Sequence, residues 1–337
     1  MMTKLVACIF GVAAMLGRRA LLIFVFVVAS SRLLLAVEGP TAAGPIGGTD
    51  IRSALLPPPG VYGGAIVLGA GTLNFVDGSG KTIPALKDAR LTKEVGGPFV
   101  YYVPDVNVLG GSIAFGAIVP AGNICGHLFT GQPDRCTASV GDPYVEVDWG
   151  RFFGKLRPSR FAGAYPIPEG LAVLLGFGVV VPAGMFDASD PLEQALSMGT
   201  KIWDFAPSLA LTYTSPAILV DGTEVSVKLF WNNYRENPET QYRTGDLLNL
   251  DFAVTEHIGR FQAGVAGFYA VQTEGDRIDG ALIPPDGRRG QVMQIGGVLA
   301  YDIPEQAASM KIKALTSVFA ENTVMSWGVA CSWVKKF

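Results

Sequence analysis

The chain has 337 residues and a net charge of −3, and its lysines and arginines are scattered singly, which argues against binding nucleic acid through a basic face. Only 16% of the residues are charged, whereas a water-soluble domain carries about 25%. Beyond the first forty residues, no apolar run reaches the roughly 20 residues of a membrane-spanning helix. Much of the surface is therefore predicted to avoid water, and any contact with lipid must be made by strands.

The N-terminal residues have the order of an export signal. Basic residues at Lys4 and Arg18 precede the apolar run 20–29, and small residues follow it. A retained membrane helix is the alternative, but the sequence Ser-Ser-Arg after the run favours cleavage. The predicted domains are a signal peptide that is removed (1–36), a periplasmic segment rich in proline and glycine (37–59) and a barrel (60–337).

Apolar residues alternate with small or polar ones along the candidate strands. In the segment 224–232, one face carries the apolar residues Val225, Val227, Leu229 and Trp231. The opposite face carries Glu224, Ser226, Lys228 and Asn232. The wall of a transmembrane barrel requires this period of two, with apolar side chains facing lipid. A soluble sandwich is the alternative, but it would more often place Lys and Glu on the second face. We predict an all-β fold, an antiparallel transmembrane β-barrel of about 12 strands in a bacterial outer membrane.

The candidate strands are spread over the whole barrel domain. In chain order they lie near 61–76, 98–103, 109–119, 143–153, 170–181, 202–214, 223–234, 243–256, 259–273, 290–302, 309–320 and 323–337. If both termini lie in the periplasm, the long connections rich in glycine and proline are extracellular. These are 77–97, 120–142, 182–201 and 274–289.

Seven charged residues lie opposite apolar residues and are predicted to face the lumen. They are Glu146, Asp148, Asp204, Lys228, Asp251, Lys311 and Lys313. An ionised group on the lipid face would cost about 2–4 kcal/mol near the midplane. In the lumen, such charges would screen permeants by their charge. The alternative is that they neutralise one another and hold the strands in register.

Two cysteines bracket a polar, turn-rich segment. A disulfide between Cys125 and Cys136 would stabilise that loop by about 2–3 kcal/mol in an oxidising compartment. A zinc site that uses His127 is the alternative, and it lacks a fourth ligand. We expect no metal and no cofactor.

One run of residues between two predicted strands resembles a family signature. It contains Asn-Tyr, Asn-Pro, Thr-x-Tyr and Gly-Asp in series, namely Asn233, Tyr234, Arg235, Asn237, Pro238, Thr240, Tyr242, Gly245 and Asp246. This series is similar to that of the MetA-pathway of phenol degradation family of outer-membrane proteins. The resemblance covers roughly 60–337 and implies a barrel that moves hydrophobic or aromatic compounds inward. At the predicted extracellular mouth, the motif is either a capped turn or a substrate-gathering site.

Three functions remain to be compared. The first is a channel for passive uptake of small hydrophobic or aromatic solutes, the second a plugged structural or adhesive barrel, and the third a lipid hydrolase. An enzyme is disfavoured because the only histidines, His127 and His257, are predicted on opposite sides of the membrane. The expected partners are outer-membrane lipid, a small-molecule permeant, and the barrel-assembly machinery, which would recognise Trp333 and Phe337 in the C-terminal strand.

Overall fold

A computed structural model describes residues 44–337. The predicted signal peptide and residues 37–43 lie outside the described residues. Eighteen strands follow one another in the described part of the chain: β1 (Gly60–Phe75), β2 (Arg90–Val103), β3 (Asn107–Val108), β4 (Gly111–Ile118), β5 (Ala121–His127), β6 (Arg135–Val140), β7 (Tyr144–Arg157), β8 (Ile167–Val180), β9 (Asp204–Thr214), β10 (Thr223–Tyr234), β11 (Tyr242–Arg243), β12 (Leu247–Ile258), β13 (Phe261–Gln272), β14 (Arg277–Ile278), β15 (Ala281–Leu282), β16 (Gln291–Ile303), β17 (Ala308–Glu321) and β18 (Val324–Lys336). Over the same residues, no helix has the length and apolar character needed to cross a membrane.

Twelve of these strands form a closed antiparallel wall. They are β1, β2, β4, β7, β8, β9, β10, β12, β13, β16, β17 and β18. The first and last strands pair along their length, from Tyr62 opposite Lys336 to Phe75 opposite Val324. Pairing of β2 with β4, where Phe99 lies opposite Ile118, completes the ring. The predicted fold and the strand number are confirmed.

The two faces of the wall follow the alternation in the sequence. On β10, Val225 and Trp231 are exposed outward, whereas Glu224 and Ser226 are buried inside. The tryptophans Trp203, Trp231 and Trp327 are all about half exposed on the outside, so none of them belongs to a water-soluble core. An apolar outer face around a polar interior is the arrangement that a lipid bilayer requires.

The connections differ in length at the two ends of the barrel. We call the end with the long connections the loop end; it carries residues 76–89, 119–143, 181–203, 235–246 and 273–290. The turn end carries 104–110, 158–166, 215–222, 259–260 and 304–307. The long connections therefore lie together at one end of the barrel, as predicted. Which end faces the cell exterior stays a prediction.

Two predicted loops contain strand. The loop predicted at 77–97 ends earlier, because β2 begins at Arg90 and extends beyond the wall. There it pairs with β5, which forms a hairpin with β6 inside the loop predicted at 120–142. The charged residues Arg90, Lys93 and Glu94 interrupt the alternation of apolar and polar residues at the start of β2, so the sequence pattern does not predict a strand there.

The β5–β6 hairpin is closed by the predicted disulfide. Cys125 and Cys136 lie directly opposite each other and are bonded. A short helix, α1 (Pro191–Leu196), packs beside the hairpin, and Arg135 donates to Asp190 at 3.2 Å. The disulfide therefore braces a folded cap at the loop end.

Candidate channel lumen

The stretch before β1 lies inside the barrel. Residues 44–59, which we call the lumen segment, run from the loop end, where Gly44 lies beside Asn232, to the turn end, where Pro58 accepts a 2.6 Å hydrogen bond from the Tyr62 hydroxyl. For residues 44–59, this differs from the periplasmic position expected of the segment 37–59. The physical reason is that the lumen wall presents charges and hydroxyls that only an internal partner can satisfy.

The strongest attachment of the lumen segment is an ion-pair cluster. Asp50 is buried, and its carboxylate accepts from Lys311 Nζ at 2.6 Å and lies 2.9 Å from Lys313 Nζ. Lys313 also donates to the backbone carbonyl of Gly47 at 2.7 Å. We call Asp50, Lys311 and Lys313 the latch. Two of the predicted lumen-facing lysines thus hold the segment rather than lining an open pore.

A second attachment uses the predicted lumen residue Asp251. Its carboxylate accepts hydrogen bonds from the Gly47 amide at 3.0 Å and from the Thr49 amide and hydroxyl at 2.8 and 2.7 Å. Hydrogen bonds to an ionised acceptor are stronger than neutral ones. Asp251 therefore fixes the backbone just before the latch.

Further attachments lie nearer the turn end. The guanidinium of Arg52 donates to Asp302 at 2.8 and 3.2 Å, and its amide donates to Glu224 at 2.7 Å. The Ala54 amide donates to Thr212 at 3.1 Å. The segment is thus bonded to β9, β10, β12, β16 and β17, which together make up nearly half of the ring.

Packing on the opposite wall leaves little clearance. A Cβ on Gly150 of β7 would come 2.8 Å from Leu56, so glycine is needed there for the segment to pass. Leu56 also packs beside the cluster of Tyr62, Val103 and Ala114. The segment therefore crosses the lumen and contacts both sides of it.

Beside the lumen segment lies a cavity of about 400 Å³. Its wall is formed by β1, β2, β13, β16, β17 and β18, and its apolar lining includes Ile46, Leu68, Leu91, Phe268 and Leu315. It extends from Gly290 and Asn322 at the loop end to the latch. A mostly apolar cavity of this size is typical of sites that hold small molecules.

The other predicted lumen charges lie on the far side of the segment from the cavity. Lys228 Nζ is 3.7 Å from the Glu146 carboxylate, and the Tyr101 hydroxyl donates to Asp148 at 2.8 Å. Asp204 is fully buried at the loop end of the wall. All seven predicted residues face the interior, and most of the charges are paired. Mutual neutralisation therefore accounts for Glu146 and Lys228 better than a field across an open pore.

The family-like motif forms a compact hydrogen-bonded mouth at the loop end. The Tyr242 hydroxyl donates to Asp276 at 2.5 Å, and the Gly245 amide donates to the same carboxylate at 2.8 Å. Asn233 donates to Asp246 at 2.5 Å, and Asn237 donates to the Thr200 carbonyl at 3.0 Å. Of the remaining motif residues, Arg235, Pro238 and Thr240 lie in the same connection, whereas Tyr234 ends β10 and is buried against Ile202 and Leu247. These contacts favour the capped-turn interpretation of the motif.

Asp276 lies outside the motif, and no pattern in the sequence indicates its importance. Its side chain is buried, and burial raises the pKa of its carboxyl, although the hydrogen bonds from Gly245 and Tyr242 act in the opposite direction. Gln272 also donates to it at 2.6 Å. Asp276 therefore ties the connection after β13 to the motif after β10.

A second carboxylate cluster closes the turn end. Asp221 accepts from Arg157 at 3.1 Å and from the Ser159 hydroxyl at 2.5 Å. Burial opposes its ionisation, yet the hydrogen bonds from Ser159 and Arg157 outweigh burial and hold the pKa of Asp221 below its ordinary value. The cluster joins the connections that follow β7 and β9.

The two histidines lie at opposite ends of the barrel, as predicted. His127 contacts Asp134 and the Asp88 carbonyl on the loop-end hairpin. His257 is buried in the wall near the turn end, where its Nε2 lies 3.2 Å from Glu224. At the C-terminal strand, Trp333 and Phe337 are exposed on the outside, as a recognition signal requires, but their use by the assembly machinery stays a prediction.

Comparison with known proteins supports this description of the fold. The COG4313 outer membrane channel from Pseudomonas putida F1 has a TM-score of 0.68 and 14% identity, and the match covers 86% of this chain and 100% of that chain. The match to the β domain of the Bordetella autotransporter BrkA has a TM-score of 0.41 and 9% identity, and it covers 82% of this chain and 99% of that domain. The match to a mutant of TodX, a monoaromatic hydrocarbon channel, has a TM-score of 0.38 and 9% identity, and it covers 84% of this chain and 92% of that chain. None of the curated proteins matches the sequence.

At 14% identity, the match to the COG4313 channel, with its TM-score of 0.68, establishes the barrel fold. The family profile is more specific, because it matches residues 72–333, which include ten complete wall strands and most of β18. The chain belongs to the MetA-pathway of phenol degradation family.

Proposed function

We propose that the protein is an outer-membrane channel for small hydrophobic or aromatic solutes, and that these pass through the cavity beside the lumen segment. The observation that carries the proposal is the apolar cavity of about 400 Å³ inside the wall. A polar pore would instead present a continuous charged or hydroxylated path. The family description, which names the degradation of phenol, supports an aromatic solute.

The lumen segment defines how such a channel operates. The latch forms the floor of the cavity, so a solute that enters from the loop end meets a closed path. Passage then requires the segment to shift, and its many polar contacts make a hydrophilic leak small while it stays in place. The chain acts by binding and conformational exchange, with no chemical step.

The lumen segment also favours a second candidate, a permanently plugged barrel with a structural or adhesive role. The wall then serves only as a scaffold for the loop-end cap. The two functions differ in one respect: only the channel needs the cavity to be empty.

Uptake of a fluorescent aromatic probe, 1-N-phenylnaphthylamine, by Gram-negative cells distinguishes the two. Cells that produce the protein should take up the probe several times faster than cells that do not. Ala70→Phe, whose side chain would fill the cavity, should remove most of this gain. The control Ala65→Phe, exposed on the outer face of the same strand, should keep it. Equal uptake with and without the protein, or by Ala70→Phe and the wild type, would exclude the channel.

A further inference from the structure

One positively charged side chain in the cavity, that of Lys93, has no oppositely charged partner among the described residues of the wall. Lys93 lies on the extension of β2, and its side chain lines the cavity. Its register neighbours on the adjacent strands are Ala70 and Ile124, and the next inward residue on its own strand is Leu91. All three are apolar. Among residues 44–337, no side chain forms an ion pair or a hydrogen bond with the Lys93 ammonium group.

The charges that line the cavity do not balance. Among residues 44–337, three lysines line it, Lys93, Lys311 and Lys313, and one carboxylate, Asp50. Asp50 is shared between the two latch lysines, at 2.6 and 2.9 Å. Asp251 also interacts with Lys313 and offsets the remaining charge of the latch, so the unbalanced charge of the lining is that of Lys93.

Lys93 is partly buried, and an unpaired ammonium group in an apolar cavity is costly to the extent that burial removes its water without supplying a partner. A carboxylate delivered by a ligand would supply that partner through a charge-assisted hydrogen bond. The remaining lining, with Leu68, Leu91 and Phe268, would accept the apolar part of the same ligand. A purely hydrocarbon ligand would fill the cavity and leave Lys93 unpaired.

We propose that the cavity is a binding site for small amphipathic carboxylates, whose carboxylate pairs with Lys93 and whose apolar part packs along β1, β2 and β13. This inference rests on the proposed function, since it names the class of solute that the channel takes. It also holds by itself as a statement about binding. No bond is made or broken in the process.

Calorimetric titration of the full chain in lipid nanodiscs tests the site, with heats from empty nanodiscs subtracted. The probes are octanoate and 1-octanol, which share a chain and differ in the anionic head group. Octanoate should bind about tenfold more tightly than 1-octanol, since a hydrogen bond to a charged group is worth at least that factor. Lys93→Met, which keeps an unbranched side chain and removes the ammonium group, should remove the preference and leave the affinity for 1-octanol unchanged.

Lys87→Met is the matched control, because Lys87 is exposed in the connection before β2 and does not line the cavity. It should keep the full preference for octanoate. Folding of each variant is checked by its heat-dependent migration in detergent gels. Equal affinities of the wild type for the two probes would overturn the proposal, as would a preference that survives Lys93→Met. Failure of the cellular uptake experiment with a normal octanoate preference would instead remove the transport function and leave the site.

Discussion

Asp50 and Lys311 are 261 positions apart in the sequence, and a 2.6 Å hydrogen bond joins their side chains inside the barrel. Lys313 lies on the other side of the same carboxylate. This contact links the segment before the first strand to the next-to-last strand of the wall. The barrel is therefore closed around its own N-terminal segment, and the behaviour of the lumen depends on how firmly that segment is held.

Removal of the latch carboxylate should loosen the lumen segment. In Asp50→Ala, the buried Lys313 and the partly buried Lys311 lose their partner, and breaking a buried ion pair costs up to about 3–5 kcal/mol. We expect larger and more frequently fluctuating currents in planar-bilayer recordings than for the wild type. Asp105→Ala, which removes an exposed carboxylate at the turn end, is the control and should behave like the wild type. Identical currents in all three proteins would contradict the role of the latch.

Steric displacement should release the same segment without changing any charge. Gly150→Val places a side chain where Leu56 lies, because a Cβ there would be 2.8 Å away. We expect trypsin to cut after Arg52 much faster than in the wild type. Gly69→Val is the matched control, since a Cβ on Gly69 would have no atom within 4 Å. If both valine variants resist trypsin equally, the segment does not depend on this clearance.

Acid should weaken the turn end through Asp221. Its folded-state pKa is lowered, so the stability it contributes is present above the ordinary value of about 4 and is lost as the pH falls below that value through the lowered pKa. The gel-shift unfolding temperature of the wild type should therefore decrease between pH 5 and pH 2 more than that of Asp221→Asn. The control Asp105→Asn, on the same end, should follow the wild type. A parallel decrease in all three would remove Asp221 from the explanation.

Loss of one hydroxyl should loosen the mouth. Tyr242→Phe removes a donor to the buried Asp276 carboxylate, which costs about 1–3 kcal/mol when a buried acceptor loses its partner. Hydrogen exchange measured by mass spectrometry should accelerate in peptides that cover 242–246 and 276–278. Tyr213→Phe, exposed on the outer face, is the control and should leave this exchange unchanged. Exchange that is unaltered in Tyr242→Phe would show that the motif is ordered by other contacts.

The wall could be predicted from the sequence because its information is local. Each strand repeats with a period of two, so Glu224 and Trp231 are assigned to opposite faces from their neighbours alone. The disulfide was also predictable, because Cys125 and Cys136 bracket a turn within one hairpin. The strand number follows from the count of these local patterns.

The lumen segment could not be predicted in the same way. Residues 44–59 have no period, and most of their partners on the wall lie more than 150 positions away, as Ala54 and Thr212 illustrate. The parity of Lys311 and Lys313 placed them in the lumen, but parity gives no partner. Asp276 was missed for a similar reason, since its contact with Tyr242 joins two separate connections. Such contacts follow from the three-dimensional closure of the barrel, which brings distant parts of the chain together, and not from any local pattern.

The most direct test of this account is the single-channel conductance of the barrel without residues 44–56, compared with that of the full chain in the same planar bilayer. Both proteins must first show the heat-dependent migration of a folded barrel. The account predicts a small conductance for the full chain and one several times larger for the deletion, because the segment fills the lumen from Gly44 to Leu56. Equal conductance of the two folded proteins would contradict the claim that this segment closes the channel.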